Sequence, residues 1–129
     1  MNSITLDLPW PNPVLSPNSP KRHWRQKHNA NVAAREAGYL IALTLPRPGK
    51  PGRWFGPLSL SLTFWPPNNR RRDLDNIYSS LKSAIDGACA GLGIDDSQIK
   101  TVTLEWDEIM RGGRVVMKFS QKRRQSGKR

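Results

Sequence analysis

The segment Leu58-Ser-Leu-Ser-Leu-Thr-Phe64 alternates apolar and polar residues over seven positions, and Pro66-Pro67 ends it. Period-two alternation puts the three leucines and Phe64 on one face of an extended chain, so the stretch predicts a strand with one side in a core. Other elements can be placed around it. Ser3 to Leu8 alternates and stops at Pro9, and Ile99 to Trp106 alternates again. Arg111-Gly112-Gly113-Arg114 predicts a hairpin turn, with Val115 to Phe119 as its return strand. Helical spacing occurs twice. Val32, Tyr39, Leu40 and Leu43 predict a helix from Asn29 to Leu45, closed by Pro46. Ile77, Leu81, Ala84, Ile85, Ala88 and Leu92 predict a second, capped by Asp75 or Asn76. The order strand, helix, strand, helix, strand, strand predicts an α/β (α+β) domain built on a single mixed β-sheet with helices packed on it.

A length of 129 residues suits one domain, over residues 1–120. The end from Gln121 to Arg129 has five basic residues and nothing apolar, which predicts a disordered tail that adds a non-specific hold on phosphates. Twenty-one Lys and Arg against ten Asp and Glu give a formal charge of +11, and the pI is near 10.7. Such a field attracts nucleic-acid backbones, in binding that weakens with salt. No apolar run approaches the roughly 18 residues of a membrane span, and Met-Asn-Ser-Ile-Thr is not the start of a signal peptide. The single Cys89 leaves no internal disulfide and no cysteine zinc site, so a cytoplasmic location is expected.

The stretch from Trp10 to Lys27 has four prolines and reads as an irregular surface loop. Within it Trp24 stands among Lys21, Arg22, Arg25 and Lys27. These residues could clamp a nucleic-acid strand, with stacking contributing roughly 1–3 kcal/mol per base. Alternatively, Trp10 and Trp24 anchor the loop on the core.

Charge is least ordinary just after the Leu58 strand. Arg70, Arg71 and Arg72 run directly into Asp73-Leu74-Asp75-Asn76, and Asp95-Asp96 follows the second helical pattern. Five of the ten acidic residues fall between positions 73 and 96 of a strongly basic chain. Asp73 and Asp75, at i and i+2 of an extended segment, would project to one side and could meet one cation. Two bare carboxylates that close repel each other unless a divalent ion or an arginine lies between them. Oxygen ligands favour Mg²⁺, with Mn²⁺ as a substitute, over zinc. A metal so held polarises a phosphoryl oxygen and activates water, which points to phosphodiester hydrolysis. Lys82, seven residues after Asp75 and so on nearly the same helical face, could hold the phosphate. The competing reading pairs Asp73 with the arginines and makes Asp75 a helix cap.

These residues resemble the signature of RusA-type Holliday junction resolvases. The likeness rests on Arg72-Asp73-Leu74-Asp75-Asn76, a helix with Lys82 and Asp86, and Asp95-Asp96-Ser97-Gln98-Ile99. Leu8-Pro9-Trp10-Pro11 before the basic loop, and the Arg111–Arg114 turn, extend it to about Phe119. The resemblance implies a dimeric, Mg²⁺-dependent endodeoxyribonuclease, often prophage-encoded, that resolves four-way DNA junctions in recombination and repair by paired symmetric nicks. It implies catalytic and metal-binding roles for Asp73, Asp75 and Asp96, a catalytic role for Lys82, and 3′-hydroxyl and 5′-phosphate products. Arg70, Arg71 and Arg72 with Lys21, Arg22, Arg25 and Lys27 would grip the DNA backbone. Two-fold symmetry suits this substrate, because a homodimer presents two matching sites to two scissile strands. A continuous helix from Asn76 to about Leu92 would carry the chain on the order of 24 Å from Asp75. Either the helix ends near Gly87 or Gly91, or Asp96 serves the partner's site. Two rival functions remain: a non-catalytic basic DNA-binding protein, and a nuclease of the same fold that acts on other branched nucleic acids.

Overall fold

The computed structural model describes residues 3–21, 24–45, 54 and 56–121. Four strands, β1 (Ser3–Leu8), β2 (Leu58–Trp65), β3 (Ile99–Trp106) and β4 (Arg114–Gln121), form one sheet in the order β1-β4-β2-β3. Three α-helices accompany it: α1 (Trp24–Thr44), α2 (Leu74–Ser80) and α3 (Lys82–Leu92). Strand β4 runs antiparallel to both β1 and β2, whereas β2 and β3 are parallel, so the sheet is mixed as expected. No helix among the described residues is long and apolar enough to cross a membrane.

The alternation of β2 has the predicted consequence. Leu58, Leu60, Leu62 and Phe64 are at most 1% exposed, and Val115, Met117 and Phe119 of neighbouring β4 are fully buried beside them. Leu6 and Leu8 from β1 and Ile85, Ala88 and Leu92 from α3 close the same core. Helices α1 and α3 pack backbone to backbone. A Cβ on Gly38 would overlap the Ala84 carbonyl, and one on Gly87 would overlap the Arg35 carbonyl.

Four expectations need correction. First, the hairpin between the last two strands does not form. Residues 107–113 cross the end of β2, with the Asp107 amide donating to the Phe64 carbonyl (2.7 Å) and the Met110 amide to that of Pro66 (2.8 Å). The return strand thus lands between β1 and β2. The Gly112-Gly113 turn is present, at φ 84° and 75°, but it ends a crossing rather than a hairpin. Strand β3 stays at the sheet edge, where Lys100, Thr103 and Glu105 face outward.

Second, α1 begins at Trp24, not Asn29, so the loop after Trp10 is shorter than read. Its opening turns are Arg, Gln and Lys, good helix formers that carry no apolar stripe. Third, the second helical pattern is broken at Leu81 into α2 and α3; its far end is where the apolar stripe put it, at Leu92 with Gly93 (φ 75°) as the cap, so the chain does not turn back at Gly87 or Gly91. The Ser80 hydroxyl, following Ser79, donates back to the Asn76 carbonyl at 2.8 Å, a bond that competes with the helical ladder and bends it. Fourth, the cap of α2 is Asp73, not Asp75 or Asn76. The tail, from residue 122, and Arg22 lie outside the described residues.

Candidate functional site

Parallel strands need a crossover, and α2 with α3 provides it between β2 and β3. The segment leaving the carboxyl end of β2 therefore occupies the position where open α/β sheets bind ligands. Here that segment is the arginine–aspartate motif. After Pro66-Pro67 stop the strand, Asn68 Oδ1 accepts the Arg70 amide at 3.1 Å. The Arg72 guanidinium then folds back on its own loop, donating to the carbonyls of Asn68 (3.2 Å) and Arg70 (3.1 Å) and to Asn68 Oδ1 (2.7 Å). It also lies 5.4 Å from the centre of the Trp10 ring. Trp10 in turn rests on Gly113, where a Cβ would come within 2.9 Å of the indole. Partial burial, and secondarily the charge of Arg70, lowers the Arg72 pKa. Arg70 and Arg71 are exposed.

Asp73 holds the cap position of α2 in extended backbone (φ −94°, ψ 139°), and its carbonyl accepts the Ile77 amide at 3.1 Å. Its side chain makes no capping hydrogen bond. Asp75 sits in the first turn of the helix, so the two carboxylates bracket a helix start instead of sharing one side of a strand. Both are exposed. Among the described residues the one ion pair joins Arg114 to Asp7 (3.0 Å), so neither Asp73 nor Asp75 is neutralised by the arginines that precede it.

The second acidic motif is built differently. Asp95 caps the short 3-10 turn Asp96–Gln98, its Oδ1 accepting the Ser97 amide at 3.0 Å. Gln98 Oε1 accepts the Asp95 amide (2.9 Å), while Gln98 Nε2 donates to the carbonyls of Trp54 (2.9 Å) and Gly56 (3.1 Å). The Ser97 amide, first among several donors, holds the Asp95 carboxyl below its ordinary range. Asp96 is exposed beside it and takes no part in the cap.

These motifs lie at opposite ends of the sheet. Asp73 follows the carboxyl end of β2, next to Trp10 and Gly113. Asp96 precedes β3, whose Ile99 pairs with Leu58 at the start of β2. At roughly 3.3 Å per residue, β2 alone separates those ends by about 23 Å. Accordingly, no three His, Cys, Asp or Glu side chains gather into one metal-ready group among the described residues. Asp73 and Asp75 are suited to a hard cation by their oxygen donors and their lack of other partners.

Lys82 begins α3, with Nζ 4.7 Å from the centre of the Tyr78 ring. The irregular turn at Leu81 lies between it and Asp75, with Leu81 itself still in right-handed helical backbone. Lys21 is exposed, and Arg25 and Lys27 ride on the first turns of α1. The two tryptophans of this region divide the alternatives between them. Trp10 packs against the core, and Trp24 is 64% exposed under the Arg25 guanidinium. Between the 10–20 segment and the arginine motif runs a groove of about 630 Å³. Arg70, Arg71 and Asp73 form one wall, with Asn18 and Gln26 among the other lining residues. Sequence reasoning missed the bracing roles of Arg72 and Gln98. Arg72 looked like its two neighbours, and the bonds of Gln98 reach 42 and 44 residues back.

No family model matches the chain. It is 36% identical over 121 residues to an uncharacterized protein of Xylella fastidiosa, covering 88% of this chain and 73% of that one. It is 28% identical over 130 residues to the crossover junction endodeoxyribonuclease RusA of Enterobacteria phage 82, covering 94% of this chain and 97% of that protein. Over 131 residues it is equally similar to the enzyme of that name from Escherichia coli K12, with the same coverage. The chain thus belongs to one family with the Xylella protein, and over nearly its whole length it is similar to the RusA crossover junction endodeoxyribonucleases.

Proposed function

We propose that this protein is a structure-selective endodeoxyribonuclease that resolves four-way DNA junctions in recombination and repair, working as a cytoplasmic homodimer. The observation that carries the proposal is the state of Asp73 and Asp75. They are exposed and free of ion pairs, the Asp73 carboxylate makes no capping hydrogen bond to the helix it begins, and Asp73 lines an arginine-walled groove. Full-length similarity to the RusA enzymes supports the same reading.

In this reading Asp73 and Asp75 hold Mg²⁺, for which Mn²⁺ can substitute. When bound, the ion supplies Lewis-acid polarisation of the scissile phosphate and acidifies the attacking water. Arg70 and Arg71 draw the strand into the groove, with Lys21, Arg25 and Lys27 extending the contact along α1. Arg72 keeps the loop in shape and adds its charge. Lys82 contacts the phosphate and offsets charge on the leaving oxygen. The opposite placement of Asp96 favours a shared site, in which each centre is completed by the partner subunit's Asp96. A two-fold dimer then offers two centres to the two equivalent strands of a junction.

The test is cleavage of an end-labelled four-way junction by the wild type and Asp75→Asn, with Mg²⁺ or EDTA, against excess linear duplex. The proposal expects paired symmetric nicks with 3′-hydroxyl and 5′-phosphate ends, lost in EDTA and in the variant. Tight junction binding with no cleavage under any divalent metal would establish a non-catalytic binder. Equal cutting of flaps or linear DNA would make the protein a less selective nuclease.

A further inference from the structure

We infer that Trp24 stacks on an unpaired base and gives this protein a hold on single-stranded DNA outside the groove beside Asp73. The inference rests on the DNA-binding part of the reading above and does not need cleavage. Trp24 opens α1 and is 64% exposed, the most exposed large hydrophobic residue among those described. The Arg25 guanidinium lies 5.2 Å from the centre of its ring, and the exposure that remains leaves ring surface for a second flat partner. Lys27 and His28, three and four residues on, lie on the same side of the helix.

The surroundings of the ring choose its partner. No Asp or Glu occurs between Asp7 and Glu36, whereas Lys21, Arg22, Arg25, Lys27 and Arg35 all fall in that interval. An apolar protein surface would have to strip water from those charges, while a nucleic-acid strand brings phosphates to them and a flat ring to the indole. Every base has a π-face, so this contact tolerates any sequence. Duplex DNA keeps its base faces covered, so the ligand is a single strand or a stretch of unpaired bases. The groove is not where this happens. Gln26 lines the groove with Arg70 and Asp73, and Trp24, two positions back, lies about 200° around the helix from it. Trp10 does line the groove, but its ring is occupied by Arg72 and Gly113. The held base therefore lies away from the phosphate cut, on strand that has left the groove.

The test is binding of an oligothymidylate of about twelve nucleotides in EDTA, followed by affinity and by tryptophan emission, for the wild type, Trp24→Ala and Trp24→Phe. Trp24 is no part of the core cluster, so both variants should fold. The wild type should bind with its emission quenched. Trp24→Ala should bind about ten-fold more weakly with an unchanged salt slope, because stacking releases no counterions. Trp24→Phe should stay within about three-fold of the wild type, since a smaller ring still stacks, and should lose most of the quench. Equal binding by Trp24→Ala, or a quench that survives in Trp24→Phe, would overturn the inference. So would a wild type that binds four-way junctions but not the oligonucleotide, and in each of these cases the junction reading would still stand. Loss of the dimer in Trp24→Ala, read by light scattering, would make Trp24 a subunit contact and end the inference too. A wild type that binds neither DNA ends both readings.

Discussion

Asp73 and Asp95 stand at the same place in their local structures. Each precedes a helical turn in extended backbone, at φ −94°, ψ 139° and φ −85°, ψ 127° respectively. Aspartate is a favoured cap at such a position because its carboxylate can accept an unpaired amide of the first turn. Asp95 does so and is locked further by Gln98, while Asp73 does not. The same residue type, in nearly the same backbone, is a structural part in one motif and unused by the local structure in the other. Beside the structural cap, Asp96 is the carboxylate left over, and beside the idle one stands Asp75. The two motifs thus each present uncommitted acid groups, at opposite ends of one sheet.

That contrast can be broken experimentally, and the largest effect should come from sharing. Asp75→Asn and Asp96→Asn should each lower junction cleavage by roughly 10²–10³-fold. Mixed and allowed to exchange subunits, they should recover partial activity, because one centre in each heterodimer keeps its full acid set. No recovery in a mixture shown to contain heterodimer would rule out a centre shared between subunits. Next in size, Lys82→Ala should reduce the turnover number by about 10²-fold with junction affinity little changed, as expected of a group acting on the reacting phosphate. A pure affinity loss would reassign it to DNA binding.

A smaller effect concerns the arginines. Arg70→Ala and Arg71→Ala should each reduce the slope of log affinity against log salt by about 0.9, the value of one lost phosphate contact. Unchanged slopes would remove them from the DNA path. The smallest is acid stability. Asp95 titrates below its ordinary value when folded, so its contribution is present above pH 3.8 and is lost as pH falls through the lowered folded value. Thermal unfolding of the wild type and Asp95→Ala should differ near neutrality and converge in strong acid. Equal unfolding temperatures for the wild type and Asp95→Ala near neutrality would deny Asp95 its structural role.

Much of this organisation could be read along the chain. Leu58 to Phe64 announced a strand with one buried face, and the structure buries those four side chains. The sequence also placed three other strands and two helical patterns, because periodicity reports burial directly. It could not report which strand β4 would join. Gly112-Gly113 signals a turn wherever the chain arrives from, and the crossing over β2 depends on amides of Asp107 and Met110 meeting carbonyls of another segment. Nor could it show that Asp73 and Asp96 would be separated by the length of a strand. The acids themselves were evident from their density in a basic chain. Their division into capping and uncommitted groups depends on hydrogen bonds, which sequence does not carry. Trp10 and Trp24 make the same point, since two tryptophans in one basic stretch had equal claims to core and surface and the fold gave each a different one.

The most direct measurement is junction cleavage and thermal unfolding of Asp73→Ser, side by side with the wild type. Serine caps a helix as well as aspartate does but cannot stand in for a metal-binding carboxylate. The account predicts an unfolding temperature equal to or above that of the wild type, together with loss of cleavage. A destabilised protein that still cuts junctions would show that Asp73 serves the fold, and would contradict the claim.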